Sequence, residues 1–154
     1  MRDRLNPHPP TALPDAQRRA TGSQELRFAS PDGVAGRIRV HCARSFLARL
    51  RGLVGRSAPA PGAGFWIEPC AAVHTFGVCD ALDVVFVSSC MVVQRIDAAV
   101  APHSVRIGPG SRSVLELRAG EAARIGIRVG ARLAWQGRAQ ALALPTCHVN
   151  GGRP

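Results

Sequence analysis

The side chains best suited to chemistry lie close together in one stretch of the sequence, residues 70–86. The stretch is mostly apolar, and it contains Cys70, His74, Cys79 and Asp83. Burying polar groups costs free energy unless each of them finds a hydrogen-bond or metal partner. The sequence therefore indicates either a functional site or a set of buried hydrogen bonds here.

One interpretation of this stretch is a thiol or metal site at Cys70, His74 and Cys79. Thiolate and imidazole are common zinc ligands, but the spacing C-x3-H-x4-C-x3-D, which ends at Asp83, matches no known zinc module. A nucleophilic cysteine with His74 as base would also need an orienting acid, Asp83 or Glu116. Because nothing in the sequence places a thiol beside the imidazole, we predict no catalytic residue, no bound metal and no cofactor, and keep this site as an alternative.

The interpretation we favour is a non-enzymatic cleft that binds a ligand or a partner protein around His74 and Asp83. At strand spacing His74 and Phe76 point to one face of a strand. We predict that the binding residues are His74, Phe76, Asp83 and Glu116. Three structural roles stay open: a buried hydrogen-bonded lock at His74, backbone N–H bonds to Asp83, and a solvated or ion-paired Glu116.

The charge balance suggests a different function, binding of polyanions. The chain carries 20 basic and 10 acidic residues, a net charge of +10, and every basic residue is arginine. A positive patch could form on one strand and the helix after it, from Arg37, Arg39, Arg44, Arg49 and Arg51. With no Tyr and two Trp, sequence-specific recognition by base stacking is not expected. The alternative function is therefore weak, nonspecific nucleic-acid binding, and the arginine excess is also what codon bias would produce.

The cysteines and the N-terminus bear on the compartment. Five cysteines form an odd set without a C-x-x-C pair, and the N-terminus lacks the apolar block of a secretory signal. No stretch is long and apolar enough to span a membrane. We therefore expect a cytoplasmic protein with reduced thiols.

The pattern along the 154 residues predicts one domain at 25–138, between a disordered arm at 1–24 and a flexible tail at 139–154. A helix is expected from Ser45 to Gly52 or Gly55, and a second, short one at 120–125. Alternating or continuous apolar runs predict strands at 37–42, 65–67, 73–76, 82–87, 91–96, 114–117 and 132–135. The fold class is α+β, mostly antiparallel β, a curled sheet or small barrel with one or two short helices.

Several of these segments resemble one branch of the domain of unknown function 192 family. The similar segments are Cys70, Val73-His74-Thr75-Phe76-Gly77, Leu82-Asp83-Val84-Val85-Phe86, Leu115-Glu116-Leu117, Arg51-Gly52-Leu53 and the glycines at 120, 126 and 130. The resemblance covers about 34–134 and implies a small, β-rich domain without established enzymatic activity or cofactor. It also implies partners among cell-envelope or surface-appendage components.

Overall fold

The computed structural model describes residues 23–43, 53, 55 and 57–136 of the chain. Within these residues it contains nine strands and one short helix, α1 (Glu121–Ile125). The strands are β1 (Ser23–Ala29), β2 (Ala35–Ala43), β3 (Ala63–Ile67), β4 (Ala72–His74), β5 (Leu82–Val87), β6 (Val93–Val100), β7 (Val105–Ile107), β8 (Ser113–Arg118) and β9 (Arg132–Trp135).

Seven of the described strands form one sheet in the order β6-β5-β8-β3-β2-β1-β9, and β4 pairs with β7 in a separate ladder. All neighbours are antiparallel except β2 and β3. The sheet curls until its ends meet at one corner, where Val92 pairs with Arg132 and the Leu133 amide donates to the Met91 carbonyl at 2.8 Å. Among the described residues it does not close further, and the predicted α+β class with a curled antiparallel sheet is confirmed.

Apolar residues cover both faces of the sheet, and strands such as β5 and β8 are buried along nearly their whole length. The first core lies on one face of the sheet and includes Leu26, Ile38, Trp66, Val85, Leu115 and Leu133. The second core lies on the other face and includes Leu53, Phe65, Val73, Val78, Val84 and Phe86. A polar side chain on either buried face must therefore find a hydrogen-bond partner inside the protein or remain unsatisfied.

The predicted strands and the short helix at 120–125 are present with small shifts of their ends. The β5–β6 hairpin is confirmed, although β6 begins at Val93 and continues to Val100. The sequence analysis predicts no strand at β1 or β7, since β1 follows a proline-rich segment and β7 has three residues between Pro102 and Pro109. Most of the helix predicted from Ser45, residues 1–22 of the predicted arm and the tail from residue 139 lie outside the described residues. Ser23 and Gln24, which were predicted to belong to the arm at 1–24, are the first residues of β1.

Candidate binding surface

Asp83 is buried, with 1% of its surface exposed, and all its hydrogen bonds go to main-chain amides. Its Oδ1 accepts from Ala99 at 2.9 Å and Gly120 at 3.0 Å, and its Oδ2 accepts from Ala122 at 3.0 Å. Ala99 has a positive φ of 50° beside an irregular β5–β6 register, and Gly120 precedes α1. The Asp83 carboxylate thus connects β5 by hydrogen bonds to the irregular part of β6 and to the first residues of α1.

Glu116 lies on the other face of the sheet. It pairs with Phe65 on β3 and Val84 on β5, and because Val84 follows Asp83 directly, the two carboxyl groups point in opposite directions. Glu116 is 3% exposed, and its Oε2 has no hydrogen-bond partner among the described residues. Desolvation by burial raises the pKa of Glu116 to about 7.

The buried lock in the His-Thr-Phe-Gly segment is the threonine. Thr75 is 1% exposed. Its Oγ1 donates to the Ala101 carbonyl at 2.8 Å and accepts from the Ser104 amide at 2.9 Å. Its own amide donates to the Ser104 carbonyl at 2.8 Å, and its carbonyl accepts from the His103 amide at 3.1 Å. Thr75 therefore fixes the loop that leads into β7.

His74 and Phe76, which flank this lock, are both exposed. Their ring centroids are 5.6 Å apart, and the Phe76 ring is also 6.0 Å from that of His103 in an edge-on arrangement. Phe76 is 49% exposed, which is unusual for a phenylalanine in a small domain. The three rings form an aromatic row on the surface.

Two exposed aliphatic side chains extend this row along β7. In the β4–β7 register His74 is opposite Val105, and Ala72 is opposite Ile107. Val105 is 52% exposed and Ile107 60%. Side chains directly opposite each other in a ladder share a face, so we define the β4–β7 face as Ala72, His74, Phe76, His103, Val105 and Ile107.

The four predicted binding residues are thus divided among three places. His74 and Phe76 lie together on the β4–β7 face, while Asp83 and Glu116 are buried on opposite faces of the sheet, so they do not line one cleft. Sequence analysis missed His103, Val105 and Ile107. The signal was the alternation in Val105-Arg106-Ile107, which is too short to identify a strand without its partner β4.

The cysteines were the basis of the alternative site. The Cys70 thiol donates to the Ala72 carbonyl at 3.0 Å, and Cys79 is exposed. No group of three or more His, Cys, Asp or Glu residues able to hold a metal occurs in the described part, so Cys70, His74 and Cys79 do not form one. Cys90 is disulfide-bonded, and the expectation that all thiols are reduced is wrong at this residue.

Of the predicted arginine patch, Arg37 and Arg39 lie on the exposed face of β2. Arg44, Arg49 and Arg51 lie outside the described residues. The sequence analysis left out Arg27, which is directly opposite Arg37 on β1, because β1 was not predicted. In the described part, no helix combines the length and hydropathy needed to cross a membrane.

Comparisons with known proteins identify relatives of the fold. Residues 28–135 match the domain of unknown function 192 family, which is described as uncharacterised ACR. A crystal structure from Sinorhizobium meliloti 1021, named as a candidate transcription regulator, is 24% identical with a TM-score of 0.69, over 75% of this chain and 95% of that one.

A second crystal structure, of a protein of unknown function from Novosphingobium aromaticivorans DSM 12444, is 23% identical with a TM-score of 0.67. That match covers 81% of this chain and 99% of the other. No curated protein matches the chain. At these identities the two structures are evidence for the fold alone.

Proposed function

Because this chain belongs to the domain of unknown function 192 family, which is uncharacterised, we propose from its own surface that it is a non-enzymatic domain binding a partner protein on the β4–β7 face. Its membership confirms the resemblance read from the sequence. The observation that carries the proposal is the row of exposed His74, Phe76 and His103 rings beside Val105 and Ile107.

Such a surface is unfavourable in an isolated domain. Exposed aliphatic and aromatic side chains that adjoin one another keep apolar area in water, and contiguous patches of this kind usually mark interaction sites. The aromatic rings supply large contact area at a low cost in side-chain entropy, as in the central residues of many interfaces.

The face is also held rigidly, which favours binding. On the reverse side of β4, Val73 is 8% exposed and belongs to the second core. Thr75 bonds the same strand to the 101–104 loop. A surface already fixed in its bound shape loses less entropy when a partner docks.

The pairing of His74 with Asp83 or Glu116 that a catalytic site would use does not form on the β4–β7 face. Its titratable side chains are the two histidines, and Asp83 and Glu116 are buried elsewhere. We therefore assign Asp83 and Glu116 no contact with the partner. The resemblance to the family implies that the partner is a component of the cell envelope or a surface appendage.

Site-specific photo-crosslinking tests the proposal. We would replace Phe76 with a photo-reactive phenylalanine analogue in the full chain, irradiate cells of the source organism and look for a protein adduct of defined mass. Val129 is the matched control position, because it is apolar and 57% exposed but lies between α1 and β9. We expect an adduct from position 76 that is absent at position 129 and several-fold weaker in His74→Ala.

His74→Ala should leave the fold intact, since an exposed substitution changes the free energy of unfolding by less than about 0.5 kcal/mol. Equal adducts from positions 76 and 129, or none from position 76, would remove the proposal. Unfolding of His74→Ala would show that the histidine is structural and that the surface is wrongly assigned.

A further inference from the structure

A second surface, on the outward side of β1 and β2, has a charge arrangement that the binding proposal leaves unexplained. Arg27 and Arg37 are direct cross-strand partners and both are exposed. Arg39 follows Arg37 on the same face. Like charges directly opposite in an antiparallel pair destabilise it, so this position favours a counter-ion.

The described residues supply little compensating charge around Arg27 and Arg39. Glu25 pairs with Arg39 in the register, and its Oε1 is 3.8 Å from Nη1 of Arg37, too far for a hydrogen bond. That oxygen has no hydrogen-bond partner in the described part of the chain. Within the same residues neither Arg27 nor Arg39 forms an ion pair with a carboxylate.

Between the two arginines the surface is concave and largely apolar. A groove of about 380 Å³ is lined by Arg27, Phe28, Ala29, Ala35, Gly36 and Arg37. Ala29 and Ala35 are direct cross-strand partners and share the outward face of Arg27 and Arg37, whereas the buried Phe28 ring packs against Gly36 on the opposite face. The small residues thus leave a shallow apolar floor with a guanidinium group on each strand.

We propose that this groove binds a small organic oxyanion, a phosphate or carboxylate on a flat or apolar body, with the anionic group between Arg27 and Arg37. Guanidinium groups bind such anions through paired N–H donors. The apolar floor accommodates the body of the ligand, and the groove has the volume of a small-molecule site. The site is distinct from the β4–β7 face and does not depend on the proposed partner.

Calorimetric titration of the full chain tests the site with named probes. Phenyl phosphate and benzoate distinguish the two oxyanions, inorganic phosphate lacks the apolar body, and phenol lacks the strong negative charge. We expect saturable binding of phenyl phosphate or benzoate at one site, at least tenfold weaker binding of inorganic phosphate, and none of phenol.

Arg27→Gln and Arg37→Gln should each weaken that binding at least tenfold. The control Arg118→Gln removes an equal, exposed charge from β8 and should change the affinity less than twofold. Arg27→Lys keeps the charge but loses the planar donor pair, and we expect an intermediate loss. Thermal unfolding verifies that each variant is folded, and Arg27→Lys still tests the site should a glutamine variant not fold.

Three results would overturn the proposal. The first is the absence of saturable binding by both phenyl phosphate and benzoate. The second is an equal effect of Arg118→Gln and Arg27→Gln, which would indicate binding through total charge. The third is equal affinity for inorganic phosphate and phenyl phosphate, with tight binding confined to oligonucleotides, which would make the face a nucleic-acid surface.

Discussion

Two buried carboxyl groups show how a residue's surroundings decide its role. Asp83 accepts three amide N–H bonds, and these compensate for the water it loses on burial. Glu116 enters an equally apolar layer, but its Oε2 has no partner among the described residues. Burial therefore raises the pKa of Glu116 to about 7, and at neutral pH this residue destabilises the fold that contains it.

The pH dependence of stability should reveal this cost. The folded-state pKa of Glu116 lies above its ordinary value of 4.5, so its protonated form favours folding. Its contribution is fully present below pH 4.5 and is lost as the pH rises through about 7, a change of about 3 kcal/mol in the free energy of unfolding. Glu116→Gln should therefore be more stable than the natural protein at pH 8 and about equal to it at pH 4.5, as measured by urea unfolding.

Asp32→Asn is the control for this measurement, because it removes an equal charge from a side chain that is 45% exposed, and it should not reproduce the effect. If Glu116→Gln and the natural protein lose stability in parallel between pH 4.5 and 8, then the carboxyl group has a partner or access to water.

At the scale of the elements, the β4–β7 ladder is a small unit whose attachment depends on a few contacts. Val73 places one side of it in the second core, and Thr75 bonds it to the loop before β7. The ladder pairs only three residues on each strand, and isolated two-stranded ladders are marginally stable. The β4–β7 face therefore lies on an element whose stability depends on the Thr75 hydrogen bonds.

Thr75→Val should loosen the ladder while the seven-stranded sheet stays folded. The change keeps the shape of the side chain but leaves the Ser104 amide and the Ala101 carbonyl without the hydroxyl, at a cost of about 2 kcal/mol. Amide hydrogen exchange should accelerate at Ser104, and less in β5 and β8. Thr75→Ser retains the hydroxyl and is the matched control. Uniform acceleration over the whole sheet would show that the ladder does not open separately.

For the whole molecule, a net charge of +10 attracts any polyanion, whether or not a specific binding site is present. This attraction comes from released counter-ions and weakens steeply with salt. We expect single-stranded DNA to bind weakly at low salt and to be released on the order of several hundred millimolar salt. Fluorescence anisotropy across a salt series measures it, and Arg118→Gln should reduce the affinity as much as Arg27→Gln does. Affinity that persists at high salt would require a specific nucleic-acid site.

Apolar alternation and continuous apolar runs are local properties of the chain, and they were sufficient to predict the class of fold and most of the elements. The sequence also predicted that His74 and Phe76 share a face. Local spacing is enough for that conclusion, since neighbouring side chains in a strand alternate.

Which polar groups meet, and which are buried, depends on long-range contacts that local patterns do not specify. Whether Asp83 reaches amides of α1, whether Glu116 lies between Phe65 and Val84, and whether Arg27 stands opposite Arg37 all depend on the pairing of strands far apart in the chain. The β4–β7 face depends on such a pairing as well, because β7 is too short to be identified alone. A local apolar pattern specifies which face of a strand is buried, but it does not specify which distant strand becomes its neighbour.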